Sequence, residues 1–341
     1  MKTAVVLFNL GGPDSLESVK PFLFNLFNDK AIIPLPQPLR YLVAQFIASG
    51  RAPAAKEIYE EIDGRSPLLA HTQDQAYALQ EELELRGNYK VFVAMRYWHP
   101  FVKEVVAEVK EYDPDKVVLL PLYPQFSSTT TGSAFAEWYV QARQQGLLAE
   151  HHPICCYPFD NQFIGAHIQL IRQACQEAER FGKPRILFSA HGLPQRVIDK
   201  GDPYQWQVEK TVAAIMRKLE SIDYALCYQS RVGTQKWLGP STTDEIERAG
   251  LDGVPVVVVP IAFVSEHSET LVELDIEYRR VASKSNVVSY TRVPALGTHP
   301  EFIQALAWLV EATKLYPNCS NSLGRQCPKE FGKCGFTEWK S

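Results

Sequence analysis

The chain has 341 residues, 46% hydrophobic and 22% charged, with 35 Lys and Arg against 39 Asp and Glu for a formal charge of -4. This is globular composition with length for two domains. With no basic block, nucleic acid is excluded as an expected partner, and no apolar run approaches the ~18 residues of a membrane span. Seven cysteines form no even framework, which favours a reducing cytoplasm.

Residues 3–10 read as a first strand, their apolar run being too short for a secretory signal. Gly11, Gly12 and Pro13 then turn the chain. The full GxGxxG spacing and a following Lys-Ser/Thr are missing, so a tight turn explains the glycines better than a nucleotide loop. Residues 21–47 begin helix-like and apolar, with Phe22, Leu23, Phe24, Leu26 and Phe27, until Pro34, Pro36 and Pro38 break the pattern. That apolar side is either core or a greasy rim for an apolar ligand or a membrane surface. Further strands are expected at 91–95, 116–122, 153–157, 185–189, 224–228, 255–260 and 287–290. Amphipathic helices are expected at 72–86, 101–110, 163–180 and 208–219, with a last helix at 301–315.

Alternating β and α segments predict parallel sheets covered by helices. Eight strands could close one barrel, but the halves echo each other. The run from Val117 to Leu122 precedes a Ser/Thr cluster at 127–131, and the run from Val256 to Ile261 precedes Ser265. The expected fold is therefore α/β, with two Rossmann-like lobes, each a four-stranded parallel sheet flanked by helices. The lobes are placed at residues 1–160 and 161–316, the latter with the closing helix, followed by a cysteine-containing tail at 317–341.

Polar residues crowd the strand ends, where α/β proteins bind ligands: Asn9, Arg96 and Tyr97, Tyr123 and Gln125, Ser189 and His191, then Gln229, Ser230 and Arg231. His191 before Gly192 can be a base, a metal ligand or a structural residue. The hydroxyls of residues 127–131 could hold a carboxylate or phosphate, or cap a helix. His151 and His152 would point to opposite faces of a strand and so would not chelate as a pair.

The stretch 254–280 is the most informative. Val256 to Val259 read as a buried strand, Ser265 as an N-cap and Glu266 as a first-turn acid. Glu269, Glu273 and Glu277 advance only ~40° per step on an α-helix and form one acidic row, with His267 at its head. A solvated face is the plain alternative. Against it stand the apolar Leu271, Leu274 and Ile276 and the lack of any basic residue before Arg279. Unpaired carboxylates in a row point to cations or protons. A widened helical turn is expected there, since such bulges favour functional sites. In the tail, Cys319, Cys327 and Cys334 are spaced too widely for a zinc finger. They could be free thiols or ligands of an iron–sulfur cluster completed from elsewhere.

Together these residues resemble the ferrochelatase family, whose members insert ferrous iron into a porphyrin. The resemblance runs in family order over nearly the whole chain: Leu10-Gly11-Gly12-Pro13, Arg96-Tyr97 with His99-Pro100, Tyr123-Pro124-Gln125 with Thr130-Thr131-Gly132, the run from Ser189 to Pro194, Gly201 to Tyr204, Gln229-Ser230, Trp237 to Pro240, and Pro260 to Phe263 through to Tyr278. It implies two lobes around a porphyrin cleft. His191 and Glu269 line the metal site, Glu273 and Glu277 continue the acidic row, and Arg96, Tyr97 and Tyr123 form the opposite wall. Arg51, Ser66 and Ser230 match positions holding the propionates, and Leu10 and Trp237 face the substrate. Arg231 departs from some relatives, keeping charge but changing geometry.

The implied reaction makes protohaem from protoporphyrin IX and ferrous iron, the substrate metal, with release of two protons. Coproporphyrin III or another tetrapyrrole is the alternative substrate. A haem or metal carrier without turnover is the rival from another class, and the acidic row beside His191 favours an enzyme. His191 takes the pyrrole protons with Glu269 assisting, or both bind the incoming iron. Distortion of the macrocycle would be supported by propionate contacts and the apolar rim. Animal members with a [2Fe–2S] cluster take three tail cysteines and one from the segment matching 126–130, where this chain has Ser128; Cys155, Cys156 or Cys175 could substitute. The cysteine usage points to a cytoplasmic protein, and the apolar 21–47 segment leaves a peripheral membrane contact open.

Overall fold

Short β-branched runs form strands buried on both faces where helices cover both sides of a parallel sheet. A computed structural model describes all residues except 220, 221, 232, 315–323 and 339–341. Its first sheet contains β1 (Thr3–Asn9), β2 (Tyr89–Met95), β3 (Lys116–Pro121) and β4 (Glu150–Pro153) in the order β2-β1-β3-β4, all parallel. The second contains β5 (Arg185–His191), β6 (Tyr224–Gln229), β7 (Val256–Pro260) and β8 (Tyr290–Arg292) in the order β6-β5-β7-β8, again all parallel. The same order thus recurs in both halves, and the expected architecture of two four-stranded parallel sheets is present.

The helices are α1 (Val19–Phe27), α2 (Leu39–Glu60), α3 (Leu68–Glu84), α4 (Val102–Tyr112), α5 (Thr131–Gln145), α6 (Asn161–Ala178), α7 (Gln195–Asp199), α8 (Tyr204–Leu219), α9 (Thr242–Asp252), α10 (Tyr278–Lys284) and α11 (Pro300–Ala312). A π-helix, Glu269–Glu277, runs directly into α10.

Two strands differ from the sequence expectation. β4 ends at Pro153, where a strand was expected to begin, and pairs through His151 and His152 with Val117 and Val118. The apolar residues after it are buried in an irregular segment. β8 starts only at Tyr290, because the Val287 amide bonds Ala282 to close α10 and Val288 is exposed.

The largest apolar core is common to both sheets. It joins Val5, Leu7 and Leu120 to Ile186, Phe188 and Val259 through residues of α3, α6, α8 and α11. Separate clusters cover the other faces, Phe8 against Phe135 and Trp138 in one and Val258 against Leu274 and Tyr278 in the other.

Two buried glutamines pin the halves together near the strand ends. Gln75 of α3 donates to the carbonyls of Val264 (2.8 Å) and Gly297 (3.0 Å) and accepts from Ser265 Oγ. Gln125 donates to Thr211 Oγ1 at 3.2 Å and reaches the Ile261 carbonyl at 3.4 Å. Buried polar groups satisfied this way are costly to break, so these contacts fix the cleft between the sheets.

Candidate active site

β5 is central in its sheet, paired on both edges, so its last residue is rigidly presented. That residue is His191. A Cβ on the next residue, Gly192, would lie 2.7 Å from the Gln229 carbonyl oxygen, which explains the glycine there without any appeal to flexibility. The Tyr204 hydroxyl donates to the His191 carbonyl at 3.0 Å. His191 Nδ1 lies 2.7 Å from Glu269 Oε2, with the side chains 38% and 25% exposed. The pair is therefore crowded by protein yet reachable from solvent. Burial opposes a charged imidazole, but the attraction and hydrogen bond of Glu269 outweigh it and raise the pKa of His191 above its ordinary value. Burial likewise opposes the Glu269 carboxylate, yet His191, then His267 and Ser230, hold its pKa down to about 2.

The acidic helix starts later than the sequence pattern implies. Ser265 does not cap it; its hydroxyl donates to Gln75. Glu266 pairs instead with Arg292 at 2.7 Å, and the π-helix begins at Glu269, so the widened turn is present. Glu269 and Glu273 point to one place, while Glu277 is exposed. His267 is 8% exposed, its Nδ1 is 3.1 Å from the Ser265 carbonyl, and burial lowers its pKa. It is a neutral structural residue and not the head of the site.

Ser230 lies between two carboxylates of the acidic row. In this structure it is a clamp on that row. The amide donates to Glu273 Oε1 at 2.7 Å, and the hydroxyl reaches Glu273 Oε2 (2.5 Å) and Glu269 Oε2 (3.1 Å). This requires a left-handed backbone, φ 60°, uncommon for a serine. Gln229 Nε2 adds a bond to Glu273 Oε2 at 3.0 Å, and its Oε1 accepts from Ser189. The Tyr278 hydroxyl donates to Glu273 Oε1 at 2.9 Å. Burial and then repulsion from Glu269 raise the Glu273 pKa, which the Ser230 and Tyr278 bonds only partly offset. An unbroken hydrogen-bonded path therefore runs from His191 through Glu269, Ser230 and Glu273 to Tyr278.

The residues expected for the opposite wall lie at strand ends of the first sheet. Arg96 bonds Asp29 at 2.9 Å and Ser133 Oγ at 2.8 Å. Tyr97 is 1% exposed and its hydroxyl donates to Asp29 at 2.7 Å. It thus stands behind the wall, as a support for Arg96 and not as a surface of it. Tyr123 and Leu10 are half-buried at the ends of β3 and β1, and burial raises the Tyr123 pKa. Ser66 packs against Gly12, and its hydroxyl accepts from the Leu68 amide at 3.3 Å. Arg51 is exposed on α2 with its guanidinium 5.6 Å from the Phe27 ring centre. Trp237 is half-buried next to Gly192. Tyr59 of α2, 7% exposed, hydrogen-bonds Ser268 beside Glu269, so α2 leans over the acidic helix. Sequence reasoning gave no role to Asp29, Tyr204, Gln229 or Tyr278. The latter three lie in the family-like motifs, but nothing local marks Asp29 for the site, since its partners there, Arg96, Tyr97 and Ser133, are 67 or more residues away.

A second constellation lies beside α8. Ser127 and Ser128 do hold a carboxylate, that of Asp202: the Ser128 amide and hydroxyl donate to it at 2.7 Å. Ser128 is thereby turned to Asp202. Next to it, Cys155 and Cys156 are buried with their sulfurs 3.3 Å apart. Cys327 and Cys334 are also buried and hydrogen-bonded to each other. Gln207 Nε2 lies 3.1 Å from Cys327 Sγ and 3.5 Å from Cys156 Sγ. Cys319 falls outside the described residues, and Cys175 sits on α6 in the main core. Among the described residues no three His, Cys, Asp or Glu side chains surround one metal-ion position. A solvent groove of about 620 Å³ beside β2, lined by Tyr77, Gln80 and Lys90, contains none of the site residues.

Two parallel sheets with an imidazole and clustered carboxylates between their carboxyl ends define a protein of the chelatase type. SirB from Bacillus subtilis with Fe3+ has the same fold at TM-score 0.54 and 12% identity, over 92% of this chain and 96% of that one; a sirohydrochlorin chelatase SirB from Bacillus subtilis subspecies spizizenii, in complex with cobalt, is similar at 0.53. The family model described as Ferrochelatase matches residues 2–314. The ferrochelatase of Pelagibacter ubique is 48% identical over 98% of both chains, and that of a Wolbachia of Drosophila simulans is 54% identical over 90% of this chain and 98% of its own. The chain belongs to the ferrochelatase family and is an enzyme that inserts ferrous iron into a porphyrin.

Proposed function

We propose that the porphyrin is protoporphyrin IX and that His191 accepts its pyrrole protons as iron enters. The observation that carries the second point is the 2.7 Å bond from His191 Nδ1 to Glu269. With Nδ1–H donated there, Nε2 is left as the basic nitrogen for substrate. Glu269 stabilises the imidazolium that forms and, with His191, offers nitrogen and oxygen ligands to the arriving iron. Ser230, Glu273 and Tyr278 continue the hydrogen-bonded path along which protons leave. Arg96, Tyr123, Leu10 and Trp237 form the walls, and Arg51 and Ser66 remain the candidates for the propionates.

Protoporphyrin is favoured over coproporphyrin by α2 at the cleft edge, which exposes Leu39, Leu42 and Phe46, the last 82% exposed. Such a rim suits vinyl groups and two carboxylates better than four carboxylates. Ferrous iron supplied with each porphyrin in turn tests this: higher metalloporphyrin formation with coproporphyrin would refute the choice. His191→Ala, with iron and porphyrin affinities measured separately, tests the base. Retained iron binding with lost turnover supports it, and unchanged turnover refutes it.

The same α2 face supports a peripheral membrane contact. Among the described residues no helix is long and apolar enough to cross a membrane. The cysteines described are buried and joined in no disulfide among the described residues, in keeping with work in a reducing cytoplasm. Residues 1–160 and 161–316 act as the two lobes, a division supported by Asp160, whose side chain caps α6 through the amides of Gln162 and Phe163; residues 317–341 form the tail. The four clustered thiols fit a [2Fe–2S] cluster, which takes four thiolates and supplies a one-electron centre when bound. A visible absorbance band in protein free of porphyrin tests that reading.

A further inference from the structure

We propose that Tyr290 and Arg292 of β8 are positioning residues for the reaction. Together they hold the π-helix in its widened register and so keep Glu269 and Glu273 turned toward His191 and Ser230. This rests on the reading above that His191 and the acidic row carry turnover, and it identifies what keeps them in place.

A π-turn is rare and stands only where its surroundings sustain it. The acidic segment is entered with ordinary helical spacing, the Leu271 amide bonding the His267 carbonyl four residues back at 2.9 Å. It is left with the wider spacing, the Tyr278 amide bonding the Glu273 carbonyl five residues back. One extra residue is therefore taken up in the turns that carry Glu269 and Glu273. Each residue of an α-helix advances ~100° about the axis. Expelling the extra residue would rotate one side of the segment by about that angle against the other. Glu269 and Glu273 could then not both meet Ser230, as they do here.

β8 supplies the contacts that oppose this. Tyr290 and Arg292 are two positions apart and so share one face of the strand. β8 pairs with β7, which pairs with β5, so the strand that presents His191 and the strand that grips the acidic helix belong to one hydrogen-bonded sheet. The Tyr290 hydroxyl donates to the Leu274 carbonyl at 2.6 Å. Arg292 holds Asp275 through two nitrogens, at 2.9 Å from Oδ1 and 2.7 Å from Oδ2. Its third nitrogen donates at 2.7 Å to Glu266 Oε1, which also accepts from the Ala295 amide at 2.9 Å. One guanidinium thus ties residue 266, ahead of the π-helix, to residue 275 within it, and fixes the length of the segment between. A rigid fork can span two carboxylates in this way where an ammonium offers only a point charge. Arg292 is 11% exposed and its partners 16% and 27% exposed, so little water competes for these bonds. Arg279 completes the seam by donating to the Asp275 and Tyr290 carbonyls, each at 3.1 Å. The Leu274 and Asp275 carbonyls lie in the last turn before α10, where the backbone ladder changes step and side-chain donors inserted into it have most effect.

Steady-state kinetics with ferrous iron and protoporphyrin, together with crystal structures of the variants, test the proposal in the full-length chain. Arg292→Met should lower kcat about tenfold or more with the porphyrin KM within about twofold, and its acidic segment should show α-helical spacing. Arg292→Lys should fall between the two, and Tyr290→Phe should lower kcat by a smaller factor. Arg185→Met is the control. Arg185 also bridges two carboxylates, Asp223 at 2.6 Å and Asp252 at 2.8 Å, but it begins β5, ~20 Å along the strand from His191. Its loss should lower the melting temperature and leave kcat per folded molecule unchanged. Equal losses of kcat in Arg185→Met and Arg292→Met would reduce the role of Arg292 to general stability and overturn the proposal. So would an Arg292→Met structure in which the π-helix, Glu269 and Glu273 are unmoved. A relaxed helix with native turnover would instead overturn the reading that the acidic row carries the reaction. Where Arg292→Met does not fold, Tyr290→Phe, which removes one hydroxyl and leaves the ion pairs, decides by the same two readouts.

Discussion

Replacing Glu269 with Gln removes one charge at the best-defined contact of the site and keeps its shape. In the native chain the carboxylate pKa falls from 4.5 to about 2 because His191, 2.7 Å away, favours the charged form. That shift corresponds to ~3 kcal/mol of differential stabilisation. With the two side chains 25% and 38% exposed, solvent screening reduces the share seen in stability to about 1–2 kcal/mol. The direction with pH follows from both partners. A carboxylate whose pKa is depressed on folding contributes above its unfolded value, near 4.5, and loses that contribution as pH falls toward 2. An imidazole whose pKa is raised contributes fully below 6.5 and loses it as pH rises through the folded value. Native protein should therefore exceed Glu269→Gln in melting temperature by a few degrees between about pH 4.5 and 6.5, and the gap should close on both sides. In the same variant the His191 pKa, followed by NMR, should drop below its ordinary value, because burial then acts without the carboxylate. The basic form would then persist to lower pH, while turnover falls because the imidazolium loses its partner. An unchanged His191 titration, or a stability gap independent of pH, would refute the pairing.

Ser230→Gly should retain about 1 kcal/mol more stability than Ser230→Ala, since glycine adopts the left-handed backbone without strain. Both should lose turnover at least tenfold through the missing clamp, and equal melting temperatures would refute the strain argument. Gln75→Ala leaves the Gly297 carbonyl and the Ser265 hydroxyl without their partner and removes one of two donors from the Val264 carbonyl, so a loss of about 2–4 kcal/mol in thermal or denaturant unfolding is expected. Gly192→Ala sets a methyl 2.7 Å from the Gln229 carbonyl oxygen, which should cost about 1–3 kcal/mol and cut kcat by displacing His191. The double variant Leu42→Ser with Phe46→Ser should co-sediment less with lipid vesicles than the native chain, and unchanged co-sedimentation would refute the α2 contact.

Much of the fold is legible because periodicity and burial are local. The four valines of β7 are buried without exception, as a continuous β-branched run predicts. β4 and β8 were misplaced because they are edge strands, and short edge strands carry little of the two-sided apolar signal that marks central ones. The acidic row was legible as a spacing, and the π-helix keeps Glu269 and Glu273 together while leaving Glu277 exposed. Ser265 was misread because a serine before an acidic run has the composition of a cap whether or not the helix starts there; its hydroxyl is taken by Gln75, 190 positions away.

By itself the sequence determined the alternation of strands and helices, the placement of polar residues at strand ends and the family to which they conform, since each is written in residue type and spacing along the chain. The tertiary structure alone decided that Ser230 clamps carboxylates, that Tyr97 is held behind Arg96 by Asp29, and that Cys155 and Cys156 face Cys327 and Cys334. Those outcomes depend on hydrogen bonds and packing between segments up to 120 residues apart, and no local spacing encodes which of several polar partners will be nearest once the two sheets share a core.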